Sequence, residues 1–329
     1  MKNLGSKTFK IIKLYKKSMN YSARSWNRQS VQKFLLAYDE ERIIECMLIL
    51  HYQNEEVRDL TIELSNMYNC VVGCRFCASG NLRKSVIQLE EEDYVAQINT
   101  CLKNSRINPR EYTNFYVSFY GIGEPSVVYE KIGNAMLNIK EYYPHVRFNI
   151  ATFGFNYKCF DFWKQFCPDI RTLQIPFYSS RPEVLKSIVQ NLPNNYDFIY
   201  VLKKALEYKE VYNTCRVKVN YIVIQDINDG NQEIEEFVNL LYPYLHSICI
   251  RISYLNYTSI GTSNGFCPAP SDKIEEIYNE LSHRGFQCYI FGSERNVKVG
   301  CGQLLQDYIL TKETGRCEDP QYIRIMDSD

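Results

Sequence analysis

Residues 69–80 read NCVVGCRFCASG and place Cys70, Cys74 and Cys77 within eight positions. Three thiols at C-x3-C-x2-C are one too few for a closed zinc site and the wrong number for a disulfide framework. They suit a metal centre with one coordination position left open. Iron–sulfur clusters are held by cysteine thiolates, usually four to a cubane, so three would leave one iron able to take another ligand. Structural zinc and reduced core cysteines are the competing readings. Zinc would want a fourth ligand at a recognisable spacing, and none follows nearby. The ASG after Cys77 is expected to turn the backbone over the centre, with Gly80 supplying unusual dihedrals.

The strands and helices around this stretch set its context. From residue 70 onward, 112–121, 146–154, 170–178, 215–224 and 247–255 read as buried strands. Helical patterns lie between them at 90–104, 129–143, 197–210, 233–245 and 271–285. Repeated alternation implies parallel βαβ units. About six fit, fewer than the eight of a closed barrel. Before the cysteines, 31–38, 42–52 and 58–65 read as short β-rich runs forming a small antiparallel hairpin or meander. Residues 1–30 are basic and polar and read as a helical or loosely ordered lead-in. The expected organisation is an α/β chain with an N-terminal β-rich extension over 1–65. A partial (β/α)6 barrel with a C-terminal catalytic loop follows over 66–310, and a tail over 311–329.

The 329 residues balance 38 Lys and Arg against 38 Asp and Glu, so a bulk electrostatic grip on nucleic acid is not indicated. The 27 tyrosines offer stacking faces, although filling cores and surfaces is their commoner use. The start carries only Ile11 and Ile12 among lysines, far short of a signal-peptide core, and no apolar run is long enough to span a bilayer. A cytoplasmic protein without membrane contact is expected, with most of its 13 cysteines reduced.

Two further motifs carry chemistry. FYGIGEPS (119–126) closes the strand after the first long helix. Gly121 and Gly123 permit close backbone approach, Glu124 supplies a carboxylate for an ammonium group, and Pro125 follows it. KVGCGQLLQ (298–306) sets Cys301 between two glycines. That thiol is open to reading as a nucleophile, a fourth ligand or an inert side chain.

Taken together, C-x3-C-x2-C, GIGEP and GCGQL resemble the radical S-adenosylmethionine adenine methyltransferases of the RlmN/Cfr family. NIATFG (149–154), LKSIV (185–189), RVKVNYIVIQDINDG (216–230) and YLN (254–256) fall in the family's order, so the resemblance covers nearly the whole chain from about residue 31. It implies a 4Fe–4S cluster on Cys70, Cys74 and Cys77, with S-adenosylmethionine chelating the open iron. It implies a cofactor pocket of Gly121, Gly123, Glu124 and Pro125, joined by Thr152, Gly154, Asn228 and Asn256. It makes Cys301 the acceptor of a methyl group from one S-adenosylmethionine. A deoxyadenosyl radical from a second then abstracts hydrogen from that methyl group, and the methylene radical adds to an unsaturated ring carbon. A reducing partner such as flavodoxin or ferredoxin is implied.

The sequence departs from that family at three places. Seven residues before Cys70 the family has a resolving cysteine, and here stands Glu63. A carboxylate can take a proton from the substrate carbon but cannot close a disulfide with Cys301. The segment Pro176-Phe177-Tyr178 replaces the family's S-L-H, and Ala151 replaces a serine. The family's N-terminal helical RNA-binding domain is expected to be missing. The favoured substrate is therefore an adenine-type base in a small nucleotide or related metabolite. An RNA adenine methyltransferase and a non-catalytic RNA-binding relative are the alternatives.

Overall fold

The computed structural model describes residues 9–20, 28–53, 55–81, 88–256, 258–292 and 300–314. Four strands come first: β1 (Lys10–Asn20), β2 (Arg28–Ala37), β3 (Ile43–Gln53) and β4 (Glu56–Leu64). The cysteine loop and α1 (Glu91–Ser105) lead to β5 (Asn114–Phe119), α2 (Tyr129–Tyr142) and β6 (Arg147–Ala151). Then follow α3 (Lys158–Phe166), β7 (Ile170–Phe177), α4 (Pro182–Ile188), α5 (Phe198–Val211), β8 (Arg216–Val223) and α6 (Asn231–Leu241). The chain continues with β9 (Ile248–Tyr254), α7 (Ser259–Ser263), α8 (Ser271–His283), β10 (Cys288–Phe291) and α9 (Gln303–Thr314).

All ten strands form one sheet in chain order. β1 to β4 pair antiparallel, and every pair from β4 to β10 is parallel. β4 therefore belongs both to the N-terminal meander and to the barrel. One cavity is lined by side chains from β2 through to β10, so the sheet curls around a common interior as a partial barrel. Alternation of side chains along each strand decides which residues face that interior. On β4, Asp59, Thr61 and Glu63 face inward, while Leu60, Ile62 and Leu64 are buried in the main hydrophobic core. On β8, Arg216 and Lys218 face inward, while Val217 and Val219 are buried. The apolar sides of the strands and the inner faces of α1, α2, α3, α5, α6 and α8 make that core.

Residues 10–20 are a strand, which corrects the expectation of a helical or loose lead-in. Leu14 and Tyr15 are buried, and β1 pairs with β2 along its whole length. Its lysines are those of an edge strand, where charge blocks further pairing. The C-terminal helix α9 runs through Thr314, so helical structure continues past residue 310.

Candidate active site

The cysteine loop lies at the carboxyl ends of the parallel strands. Cys70, Cys74 and Cys77 line a cavity of about 240 Å³ together with Gly121, Gly123, Glu124, Thr152, Tyr178 and Asn256. Burial pushes Cys70 up to about 12 and also raises Cys74 and Cys77, and the three thiols repel one another's charge. Such thiols stay protonated at neutral pH unless a cation takes the proton's place, as metal ligation does. Among the described residues no three His, Cys, Asp or Glu side chains converge on a single-ion site. Thiolates spread around a cavity fit a polynuclear cluster, in which each binds a different iron. No disulfide joins the described cysteines.

Gly80 is required for a steric reason and not for its dihedrals. A Cβ there would sit 2.9 Å from the Cys74 backbone nitrogen, as the loop folds onto itself through Cys77 N donating to the Cys74 carbonyl at 3.0 Å. Tyr178 donates its hydroxyl to the Cys74 sulfur and meets Phe76 edge-on at 5.4 Å. The strand end that lacks the family's S-L-H thus supplies a different hydroxyl to the same cavity.

Glu124 is buried and held by four donors. Its Oε1 accepts from Ser126 N at 3.1 Å, Ser126 Oγ at 2.7 Å and Thr152 Oγ1, and its Oε2 accepts from Phe153 N at 3.1 Å. Burial raises its pKa, and these donors, Thr152 first, oppose that rise. Among the described residues Oε2 accepts a single hydrogen bond, so it keeps acceptor capacity toward a ligand ammonium. Gly154 and Pro125 do not line the cavity. Gly154 N donates to Thr152 Oγ1 at 2.9 Å, and Pro125 opens the short turn that aims Glu124.

Asn228 is a correction. Its amide is spent on backbone groups of its own loop and of Tyr178, and it does not line the cavity. Oδ1 accepts from Ile224 N at 2.7 Å, and Nδ2 donates to the carbonyls of Tyr178 at 2.8 Å and Ile222 at 2.9 Å. It positions the Tyr178 backbone.

Cys301 sits where two cavities meet. It lines the cysteine cavity and a second of about 730 Å³ that occupies the barrel interior. Its Sγ lies 2.8 Å from Ser79 Oγ, two residues beyond Cys77. Gly302 has φ +79, and a Cβ there would meet Ser79 N at 2.5 Å, so only glycine lets this turn press against the cysteine loop. Burial, then Cys77 and Glu45, push the Cys301 thiol up, against Ser79 and Lys33.

Two residues that sequence reading passed over hold this turn from the N-terminal meander. Glu45 on β3 accepts from Leu305 N and Gly302 N, each at 2.8 Å. Lys33 on β2 donates to the Gly300 carbonyl at 2.5 Å and pairs with Glu45 at 2.9 Å, both side chains being under 5% exposed. A lysine and a glutamate set within the apolar runs 31–38 and 42–52 were the available signal, since such residues are rarely buried unless paired.

Glu63 lines the interior cavity on which Cys301 also lies. Burial lifts its pKa to about 7, against the charges of Arg251 and Lys33. Among the described residues Cys301 is the one thiol on that cavity. Cys101 is elsewhere, donating to Cys46 Sγ at 3.1 Å within the hydrophobic core.

No family profile matches the chain. Over 295 residues it is 24% identical to a protein of Oceanobacillus iheyensis named a probable dual-specificity RNA methyltransferase RlmN, covering 87% of this chain and 79% of the relative. A Streptococcus pneumoniae protein of the same name is 25% identical over 280 residues, covering 83% and 74%. Among solved structures, a radical SAM methyltransferase from Sphaerobacter thermophilus superposes with a TM-score of 0.69 at 22% identity, covering 88% of this chain and 80% of that one.

Proposed function

We propose that this chain, an RlmN/Cfr-like radical S-adenosylmethionine protein, methylates an unsaturated ring carbon of an adenine-type base through an S-methylated Cys301. The observation that carries the reading is the position of Cys301 between the cysteine cavity and the polar barrel interior. A group loaded on Sγ from the first side is presented to the second. Cys70, Cys74 and Cys77 would hold a 4Fe–4S cluster, which supplies the electron that cleaves S-adenosylmethionine reductively. Glu124 Oε2 would receive the cofactor's ammonium, with Gly121, Gly123 and Asn256 bordering that site. Ser79 fixes the rotamer of Cys301. Glu63, ionised in part near neutral pH, takes the proton that the substrate carbon loses. Because Glu63 cannot form the resolving disulfide, an external thiol would take the Cys301 sulfur as a mixed disulfide and free the methylated base, and an external one-electron donor of the flavodoxin or ferredoxin kind would reduce the cluster.

The names of the relatives favour a second reading, methylation of adenine within RNA. No helix among the described residues is long and apolar enough to cross a membrane.

The deciding experiment is a peptide mass spectrum of the protein purified anaerobically. One added methyl group on Cys301 is expected. Cys301→Ala should retain cluster absorbance and slow, uncoupled S-adenosylmethionine cleavage, and should give no alkylated product. An unmodified Cys301 together with normal product formation by the variant would reject the reading.

A further inference from the structure

We infer that the floor of the barrel interior is a phosphate site, and that the substrate is a free adenine mononucleotide whose phosphate docks there while its base reaches Cys301. The inference rests on the role given to Cys301 above. Four cations line the interior cavity: Arg171 on β7, Arg216 and Lys218 on β8, and Arg251 on β9. Strand register staggers them along the interior: Arg216 lies opposite Thr172, the neighbour of Arg171, Lys218 opposite Gln174 two residues further on, and Arg251 opposite Asn220 two further again, where its charge reaches Glu63.

Three of them have uncharged hydrogen-bond partners. Arg171 Nη1 donates to the Thr214 carbonyl, Lys218 Nζ to the Tyr289 hydroxyl at 3.2 Å, and Arg251 Nη1 to Gln174 Oε1 at 2.9 Å. The Arg251 guanidinium also lies 3.4 Å from the Phe291 ring centre, and its Nε is buried with no partner among the described residues. Two carboxylates, Asp59 and Glu63, line the same cavity from β4, so four cations face two acids. Closed barrels of parallel strands usually fill this space with branched apolar side chains. Arg216 is exposed and the other three are half-buried, so an anion can reach all four. Guanidinium forks match a phosphate's oxygens bidentately.

The remaining walls suit the rest of a nucleotide. Tyr120 lines this cavity and the cysteine cavity, as Cys301 does, and offers a ring face to a base. Asp59 and Glu63 are four residues apart on β4. At about 3.3 Å per residue, the floor lies roughly 13 Å below the level of Glu63. That leaves room for base, ribose and phosphate in line. A polynucleotide is served instead by a broad basic field. Here 38 cations balance 38 acids over the chain, and a cluster of the cations is gathered inside the barrel.

The test is calorimetric titration of the anaerobic, cluster-loaded enzyme. The probes are adenosine 5′-monophosphate, adenosine, inorganic phosphate and a short adenine-containing oligoribonucleotide. The monophosphate should bind at least about tenfold tighter than adenosine, as charge-assisted bonds to a phosphate require. Inorganic phosphate should compete with the monophosphate and not with adenosine. In Arg171→Gln/Arg216→Gln the ratio of the two affinities should fall to about one. Arg216→Gln alone, at an exposed strand start, should lower it several-fold and serves if the double variant fails to fold. Equal affinities in the wild type would overturn the site. So would an unchanged ratio in the variants, or an oligoribonucleotide that binds more tightly with a steep salt dependence. The methyl group on Cys301 is read separately on the wild-type protein. If it is present and the monophosphate is not preferred, only the phosphate site fails. If it is absent and the monophosphate is preferred, the site stands and the role of Cys301 fails.

Discussion

Glu63 is the side chain at which this sequence departs most from the family pattern that its motifs resemble. Folding raises its pKa from 4.5 to about 7, with burial as the cause and Arg251 and Lys33 opposing it. Between those values the folded chain binds more protons than the unfolded one, so stability falls as pH rises through that window. Glu63→Gln removes the titration. The variant should match the wild type near pH 4 and exceed it at pH 8 by on the order of 2 kcal/mol, allowing for water in the cavity. Thermal unfolding at several pH values measures this, and a difference that stays constant with pH would refute it. With substrate, the same variant should still cleave S-adenosylmethionine but accumulate substrate mass on Cys301, because nothing takes the carbon's proton. Free turnover without such an adduct would remove Glu63 from the reaction. The seven-residue spacing from Cys70 was enough to mark this position in the sequence. Asn228 was marked by the same kind of matching and proved to be a loop brace, because spacing does not show where an amide's hydrogen bonds are spent.

The β2–β3 pair gives the N-terminal meander a task. It grips the turn around Cys301 through Lys33 and Glu45, partners 267 and 257 residues distant from Gly300 and Gly302. Removing one member of a buried ion pair typically costs about 3–5 kcal/mol, because the other is left unpaired. Glu45→Gln should therefore lower the melting temperature. It should also cut methyl loading of Cys301 by at least about tenfold while reductive cleavage of S-adenosylmethionine persists, a split that general destabilisation would not produce. Lys33→Met should do the same. Full loading in both variants would show that the turn holds itself. Contacts across such separations leave no trace in local patterning, which is why the clamp was invisible in the sequence while β5 to β9, with their alternation and flanking helices, were legible. β1 was misread for a related reason. Its lysines suggested a solvated segment, and only pairing with β2 buries Leu14 and Tyr15. The polar positions of β8 were visible as Arg216 and Lys218 alternating with valines. Which side of the sheet they face follows only once the sheet curls.

The cysteine loop ties distant parts of the chain together. Arg75 N donates to the Ile188 carbonyl at 2.9 Å, Thr258 Oγ1 to the Phe76 carbonyl at 2.7 Å, and Asn264 Nδ2 to the Arg75 carbonyl at 2.8 Å. Ser79 meets Cys301. The loop therefore joins α4, α7 and the turn before α9, none of which pairs within the sheet. A cluster bound by the folded loop and not by the unfolded chain stabilises whatever the loop braces. Replacing Cys70, Cys74 or Cys77 by Ala should abolish iron retention and S-adenosylmethionine cleavage together. Removing iron from the wild type with a chelator should have a wider effect. Amide exchange should rise together in residues 70–80, 258–264 and 300–306, because these segments lean on one another. β4 to β8 should keep their protection, since their ladders and apolar core do not pass through the loop. Hydrogen-exchange mass spectrometry of the holo and iron-free forms reads both regions at once. A rise confined to 70–80 would mean that the cluster leaves the rest of the site unchanged. A rise throughout the sheet would mean that the barrel itself folds around the metal.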